Sequence, residues 1–128
     1  MADKKSVVLI VEDELDLRQL LQSKLVRENF DVLEAENGKV GLDTALSVHP
    51  DIILLDIVMP VMDGLSMLKE LRKDAWGKDV PVIILSNLSE VEKISDGLEN
   101  SVYDYLVKAD WEPDNVVDLI RKKLAGKK

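Results

Sequence analysis

Three apolar runs constrain the fold more than any other feature of this chain: "SVVLIV" from Ser6 to Val11, "DIILLD" from Asp51 to Asp56, and "VPVIILS" from Val80 to Ser86. Each has the length of a strand. None alternates between apolar and polar residues, so each predicts a strand covered on both faces, as in a parallel sheet. Two shorter runs, "FDVLEA" and "YDYLVK", complete a set of five. Pro81 stands near the start of its run, where a missing backbone donor does least harm.

Amphipathic stretches lie between and after these runs. Leu17, Leu20, Leu21 and Leu25 recur at i, i+3, i+4 and i+8, which predicts one helix face. After a break at Asn37-Gly38, Val40, Leu42, Ala45 and Leu46 predict a second helix, ended by Pro50. Leu65, Leu68 and Leu71 mark a third. Ser89 and Glu92 form a capping box that opens a fourth, with Val91, Ile94 and Leu98 on one side. Pro113 suits the first turn of a fifth, whose apolar face is Val116, Val117, Ile120 and Leu124. Strand and helix repeat five times, which predicts a doubly wound α/β sandwich with right-handed crossovers. Five units are too few for an eight-fold barrel.

The 128 residues suit one domain, 1–128, and no composition break marks a linker. Aromatic residues make up only 4% of the chain, so Leu, Ile and Val must build the core. There is no cysteine, which excludes disulfides, thiolate metal sites and cysteine nucleophiles and fits a cytoplasmic protein. The N-terminal apolar run is too short for a signal-peptide core or a membrane span, so no membrane association is expected. A formal charge of −8 disfavours binding to nucleic acid. The basic tail "RKKLAGKK" reads as a helix end whose lysines oppose the negative end of the helix dipole.

Sites in open α/β sheets form beyond the carboxyl ends of the strands. The first strand ends in Glu12-Asp13-Glu14, the third in Asp56, the fourth in Ser86-Asn87 and the fifth in Lys108. If the first and third strands are neighbours, Asp13 and Asp56 converge with Glu12 close by. Like charges so placed repel one another, and a hard divalent cation such as Mg²⁺, which takes oxygen ligands and keeps several waters, relieves the repulsion. Acids, metal, ammonium and hydroxyl are together the parts that hold a phosphoryl group. A carboxylate can itself be the nucleophile, forming an acyl phosphate, and Asp56 is the candidate. Taken singly, each residue has a plainer reading: Asp13 as a helix N-cap, Asp56 as a turn residue, Ser86 as a strand-end hydroxyl, Lys108 as a solvated cation. Their coincidence on one sheet edge favours the site.

These residues carry a family resemblance. With "LIVEDE", "DIILLDIVMPVMDG", "VIILSN" and "YDYLVK", the chain resembles the receiver domain of two-component response regulators, of the stand-alone chemotaxis type. The resemblance implies a flavodoxin-like sheet in the order 2-1-3-4-5 with five flanking helices. It implies that Asp56 takes a phosphoryl group from a histidine kinase or a histidine phosphotransfer protein. Asp13, Asp56 and the carbonyl of Val58 would ligate Mg²⁺ directly, and Glu12 through water. Lys108 would contact a phosphoryl oxygen. Ser86 and Tyr105 would form a switch pair that repacks the face of the fourth helix, fifth strand and fifth helix for an unknown downstream protein. The chain would be a monomer or a phosphorylation-dependent dimer. It would be no enzyme beyond its own aspartyl phosphorylation and dephosphorylation. The apolar Val58 and Leu88 cannot orient a water, which predicts a long-lived phosphoform. Ala109 and Asn87 stand where the family favours proline and a small residue. A cis bond without proline costs about 3 kcal/mol, so either a trans Lys108-Ala109 bond or a strained loop is expected.

The main alternative is a pseudo-receiver, an interaction module that needs no phosphorylation. A flavin carrier would want a Gly- and hydroxyl-rich loop after the first strand, where "VEDELD" is acidic. His49, before Pro50 at a helix end, is poorly placed for phosphotransfer. Trp111 suits either a partner anchor or a cover for the start of the fifth helix. Met59, Met62 and Met67 read as packing.

Overall fold

Each apolar run is a strand in the computed structural model, which describes residues 5–56, 61–86, 104–107 and 112–125. In chain order the elements are β1 (Val7–Val11), α1 (Leu15–Arg27), β2 (Asp31–Ala35), α2 (Gly38–Val48), β3 (Ile52–Asp56), α3 (Gly64–Lys73), β4 (Val82–Ser86), β5 (Asp104–Val107) and α4 (Pro113–Ala125). The last of these is the fifth helix of the sequence reading. The fourth, opened by Ser89 and Glu92, lies outside the described residues. All strand pairs are parallel, in the order β2-β1-β3-β4-β5. This is the doubly wound order with its switch point between β1 and β3.

The unbroken apolar runs follow from two cores, one on each face of the sheet. Leu9, Val11, Ile53, Leu55, Val82 and Ile84 point to one face, where Ala45 of α2 and Met67, Leu68 and Leu71 of α3 cover them. Val8, Ile10, Ile52, Leu54, Ile83 and Leu85 point to the other, under Leu21 and Leu25 of α1 and Val116, Val117 and Ile120 of α4. Every second residue serves the same face, so a strand buried on both sides must be apolar throughout. Two ion pairs tie the helices of the second face: Lys24 to Asp114 at 2.6 Å and Arg121 to Glu28 at 2.8 Å.

The helix faces need two corrections. Leu20 fits the apolar arc of α1 but is exposed, and the burial there rests on Leu21 and Leu25 with Leu17 partly covered. In α2, Val40 and Leu46 are exposed, while Gly38, Gly41 and Ala45 are buried. That helix lies close to the sheet. A methyl on Gly41 would sit 2.8 Å from Cγ2 of Val11, so small residues form the contact. Asn37-Gly38 is no simple break. Asn37 is the N-cap of α2, accepting the Val40 N–H at 2.9 Å, and Gly38 is the first helical residue. His49 ends the same helix in the left-handed region at φ 58° and stacks on Trp76, with ring centroids 4.2 Å apart. Met67 is fully buried and Met62 packs against the same core, while Met59 lies outside the described residues. No helix among the described residues is long and apolar enough to cross a membrane.

Candidate functional site

Register alone brings the acidic residues together. Val11 pairs with Leu55 across β1 and β3, so Glu12 and Asp56 come one step later, side by side. Both continue the parity of the face under α1 and α4, so their carboxylates leave the sheet on the same side. One oxygen from each of Glu12, Asp13 and Asp56 lies within 4.8 Å of the others. Glu12 and Asp56 are the two buried charged residues among those described, at 1% and 4% exposure, and Asp13 is exposed beside them. The cluster therefore has a buried floor and an open side.

The loop after β1 is held in detail. The Glu12 N–H donates to the carbonyl of Ala35 at 3.0 Å, extending the ladder to β2 by one residue. Glu12 Oε2 accepts the Glu14 N–H at 3.1 Å. The Glu12 carbonyl accepts from Arg18 Nη1 at 2.7 Å, and Arg18 Nε donates to Glu34 Oε1 at 3.2 Å. The N-cap of α1 is Glu14, whose side chain makes no capping bond. The plainer reading of Asp13 as an N-cap thus fails: Glu12 takes one of the free amide donors of α1, and Asp13 is left for the cluster.

The loop after β3 is anchored at its far end. Asp63 is the N-cap of α3 and accepts the Ser66 N–H at 2.8 Å. The Met62 carbonyl accepts the Gly38 N–H at 2.9 Å, which fastens the loop to the start of α2. Just before these anchors, Val61 is 81% exposed and held at φ 69°, a conformation that β-branched residues rarely adopt.

The remaining predicted residues are placed less fully. The backbone of Ser86 ends β4, one residue past Leu85, the partner of Asp56, and Tyr105 pairs with Ile84 on β5. For both, the description extends to the backbone alone. Val58, Lys108, Ala109, Asn87, Leu88 and Trp111 lie outside the described residues. Arg18 escaped the sequence reading, because a lone arginine on a charged helix face carries no spacing signal.

An all-oxygen donor set with two buried carboxylates and one exposed one suits a hard cation such as Mg²⁺, which keeps part of its water shell. It suits zinc poorly, since no histidine or cysteine stands among the donors.

Comparison with known proteins agrees with this geometry. Residues 8–121 match the response regulator receiver domain. A probable transcriptional regulator, ycf27, of Porphyridium aerugineum is 37% identical over 121 residues, which cover 94% of this chain and 49% of that protein. The chain thus spans about half the length of the curated relatives it matches. The receiver domain of the Francisella response regulator 1452 has a TM-score of 0.86 at 31% identity, covering 97% of this chain and 100% of that one. The chemotaxis protein CheY4 of Vibrio cholerae has a TM-score of 0.84 at 27% identity, covering 93% and 98%. From these matches and the strand order, this chain belongs to the response regulator receiver domain family of two-component signalling.

Proposed function

We propose that the chain is a phosphorylation switch that accepts a phosphoryl group on Asp56 in a Mg²⁺-dependent reaction. The observation that carries this reading is the cluster of Glu12, Asp13 and Asp56 at the carboxyl edge of the sheet. The donor is a phosphohistidine of a histidine kinase or histidine phosphotransfer protein. A carboxylate oxygen of Asp56 attacks phosphorus, the phosphorus–nitrogen bond breaks, and the electron pair leaves with the imidazole. Asp56 suits the attack because it ends the central strand β3, and a rigid element holds it in place. Glu12, Asp13 and Asp56 would hold Mg²⁺, with the Val58 carbonyl as a further ligand. When bound, the cation neutralises the charge that gathers on the phosphoryl oxygens. Lys108 and the hydroxyl of Ser86 would take the remaining phosphoryl oxygens.

The added charge would then draw Ser86 toward the phosphoryl group and let Tyr105 turn inward. That biases a two-state face built from the fourth predicted helix, β5 and α4, where a downstream protein binds. The chain's chemistry is confined to its own aspartate, and its negative charge argues against nucleic acid as the partner. Val58 gives the phosphoform a long lifetime, because it offers no group to position a hydrolytic water.

Beryllofluoride with Mg²⁺ mimics the phosphoryl group and tests the reading. Amide NMR shifts centred on Asp56 and spreading to β4 and β5 are expected for wild type and should vanish in Asp56→Ala. An unchanged wild-type spectrum would refute it.

A further inference from the structure

We infer that Arg18 is a positioning residue for the cation site, acting through the main chain of Glu12. The inference rests on the proposed Mg²⁺ reading. Arg18 sits on the first turns of α1, with its side chain only 15% exposed. Its guanidinium makes two separate contacts, Nη1 to the Glu12 carbonyl at 2.7 Å and Nε to Glu34 Oε1 at 3.2 Å. These join three segments: the end of β2, the first turns of α1 and the loop that leaves β1.

The main-chain geometry gives this contact its force. The Glu12 N–H still belongs to the sheet, through the carbonyl of Ala35. Its carbonyl does not; it turns to Arg18. The peptide between Glu12 and Asp13 is therefore where the chain leaves the ladder, and its orientation sets where the Asp13 side chain points. The Glu34 carboxylate fixes the planar guanidinium, so it is aimed before any cation arrives. Arg18 is thus placed to keep the direction of Asp13 relative to Asp56 without touching a cation itself.

The sign of the effect separates this role from a purely electrostatic one. A nearby guanidinium repels a divalent cation, so a residue acting through its charge alone would, when neutralised, tighten cation binding. A positioning residue, when replaced, weakens it, by about tenfold for an outer partner of a metal site.

The test uses the full chain, with Mn²⁺ affinity read from the electron paramagnetic resonance of the free ion, Mg²⁺ as competitor, and Tm for each variant. Arg18→Gln is expected to weaken the Kd about tenfold. Arg18→Lys keeps the charge and one donor, and is expected to restore part of the loss. Should Arg18→Gln fail to fold, Arg18→Lys alone decides, with a Kd above the wild-type value expected. An unchanged or tighter Kd in the folded variants overturns the inference while leaving the Mg²⁺ reading intact. Failure of wild type to bind either cation, or an Asp13→Asn variant that binds as well as wild type, overturns the Mg²⁺ reading and the inference with it.

Discussion

Replacing Gly38 with alanine should damage both the fold and the candidate site. Gly38 opens α2, and its N–H donates to the Met62 carbonyl at 2.9 Å. A methyl there would fall on the same carbonyl oxygen and come within 3.0 Å of the Met62 carbonyl carbon. Both are backbone atoms, so the loop before α3 must move. Losing the hydrogen bond costs about 1 kcal/mol, and forcing a methyl into a filled space costs about 1–3. Alanine's better helix propensity returns at most about 1 kcal/mol. The net cost is about 2 kcal/mol, which at a urea m-value of about 2 kcal/mol/M lowers the midpoint by about 1 M. Gly41→Ala is the control. Its methyl would meet Val11 Cγ2 at 2.8 Å and Met67 Sδ at 3.1 Å, which are side chains in the core under α2. It should cost stability while leaving Mg²⁺ affinity at the wild-type value. Gly38→Ala should weaken that affinity as well, because the loop it displaces runs back to Asp56. A Gly38→Ala midpoint equal to wild type, or an affinity loss shared equally by both variants, would refute this reasoning.

Four further outcomes are expected. Mg²⁺ at tenfold over its Kd should stabilise wild type by about 1.4 kcal/mol, an effect that excess chelator reverses. Asp13→Asn should raise the metal-free Tm by relieving like-charge repulsion and should lose the Mg²⁺ response, as differential scanning fluorimetry would show. Val61→Asn should stabilise by about 1 kcal/mol in urea unfolding, because asparagine tolerates the left-handed conformation and the valine there is exposed. Lys24 holds the Asp114 carboxyl below its ordinary 3.8, while Arg121 first and Lys24 second hold Glu28 below 4.5. Depressed folded-state values give stability that is present above the unfolded pKa and is lost as pH falls through the folded one. Lys24→Met should therefore flatten the acid limb of the Tm profile below about pH 4.5, mainly through Asp114.

The central fold was legible because burial on both faces leaves a strand no polar option. The same logic exposed Asp56: a charge that ends a run such as Ile52–Leu55 must sit where the strand leaves the core. Asp51, at the other end of that run, shows the limit of the argument. It accepts the Val7 N–H at 2.7 Å and fastens the opposite edge of the sheet. Composition treats the two aspartates alike, and only strand direction separates them. The face of the second helix was half legible: Ala45 is buried and Leu42 packs against the core as expected, while Val40 and Leu46 are exposed. The close contact with β1 is made by Gly41, which allows approach but contributes no hydrophobicity to an apolar arc, so the arc was drawn through Val40 and Leu46 instead. Leu20 shows that apolar spacing marks an arc wider than the stripe that is finally covered. Val61 could not be foreseen, since a β-branched residue is among the last choices for positive φ. Arg18 was equally hidden, because its partners are a main-chain carbonyl and a glutamate 16 residues away.

The central claim is that Asp56 is the residue modified. Wild-type protein incubated with acetyl phosphate and Mg²⁺, then reduced with borohydride and analysed by peptide mass spectrometry, tests it directly. Conversion of Asp56 alone, dependent on Mg²⁺ and absent from Asp56→Asn, is the predicted result. Modification at Asp13 or elsewhere with Asp56 intact, or no acyl phosphate at all, would contradict it.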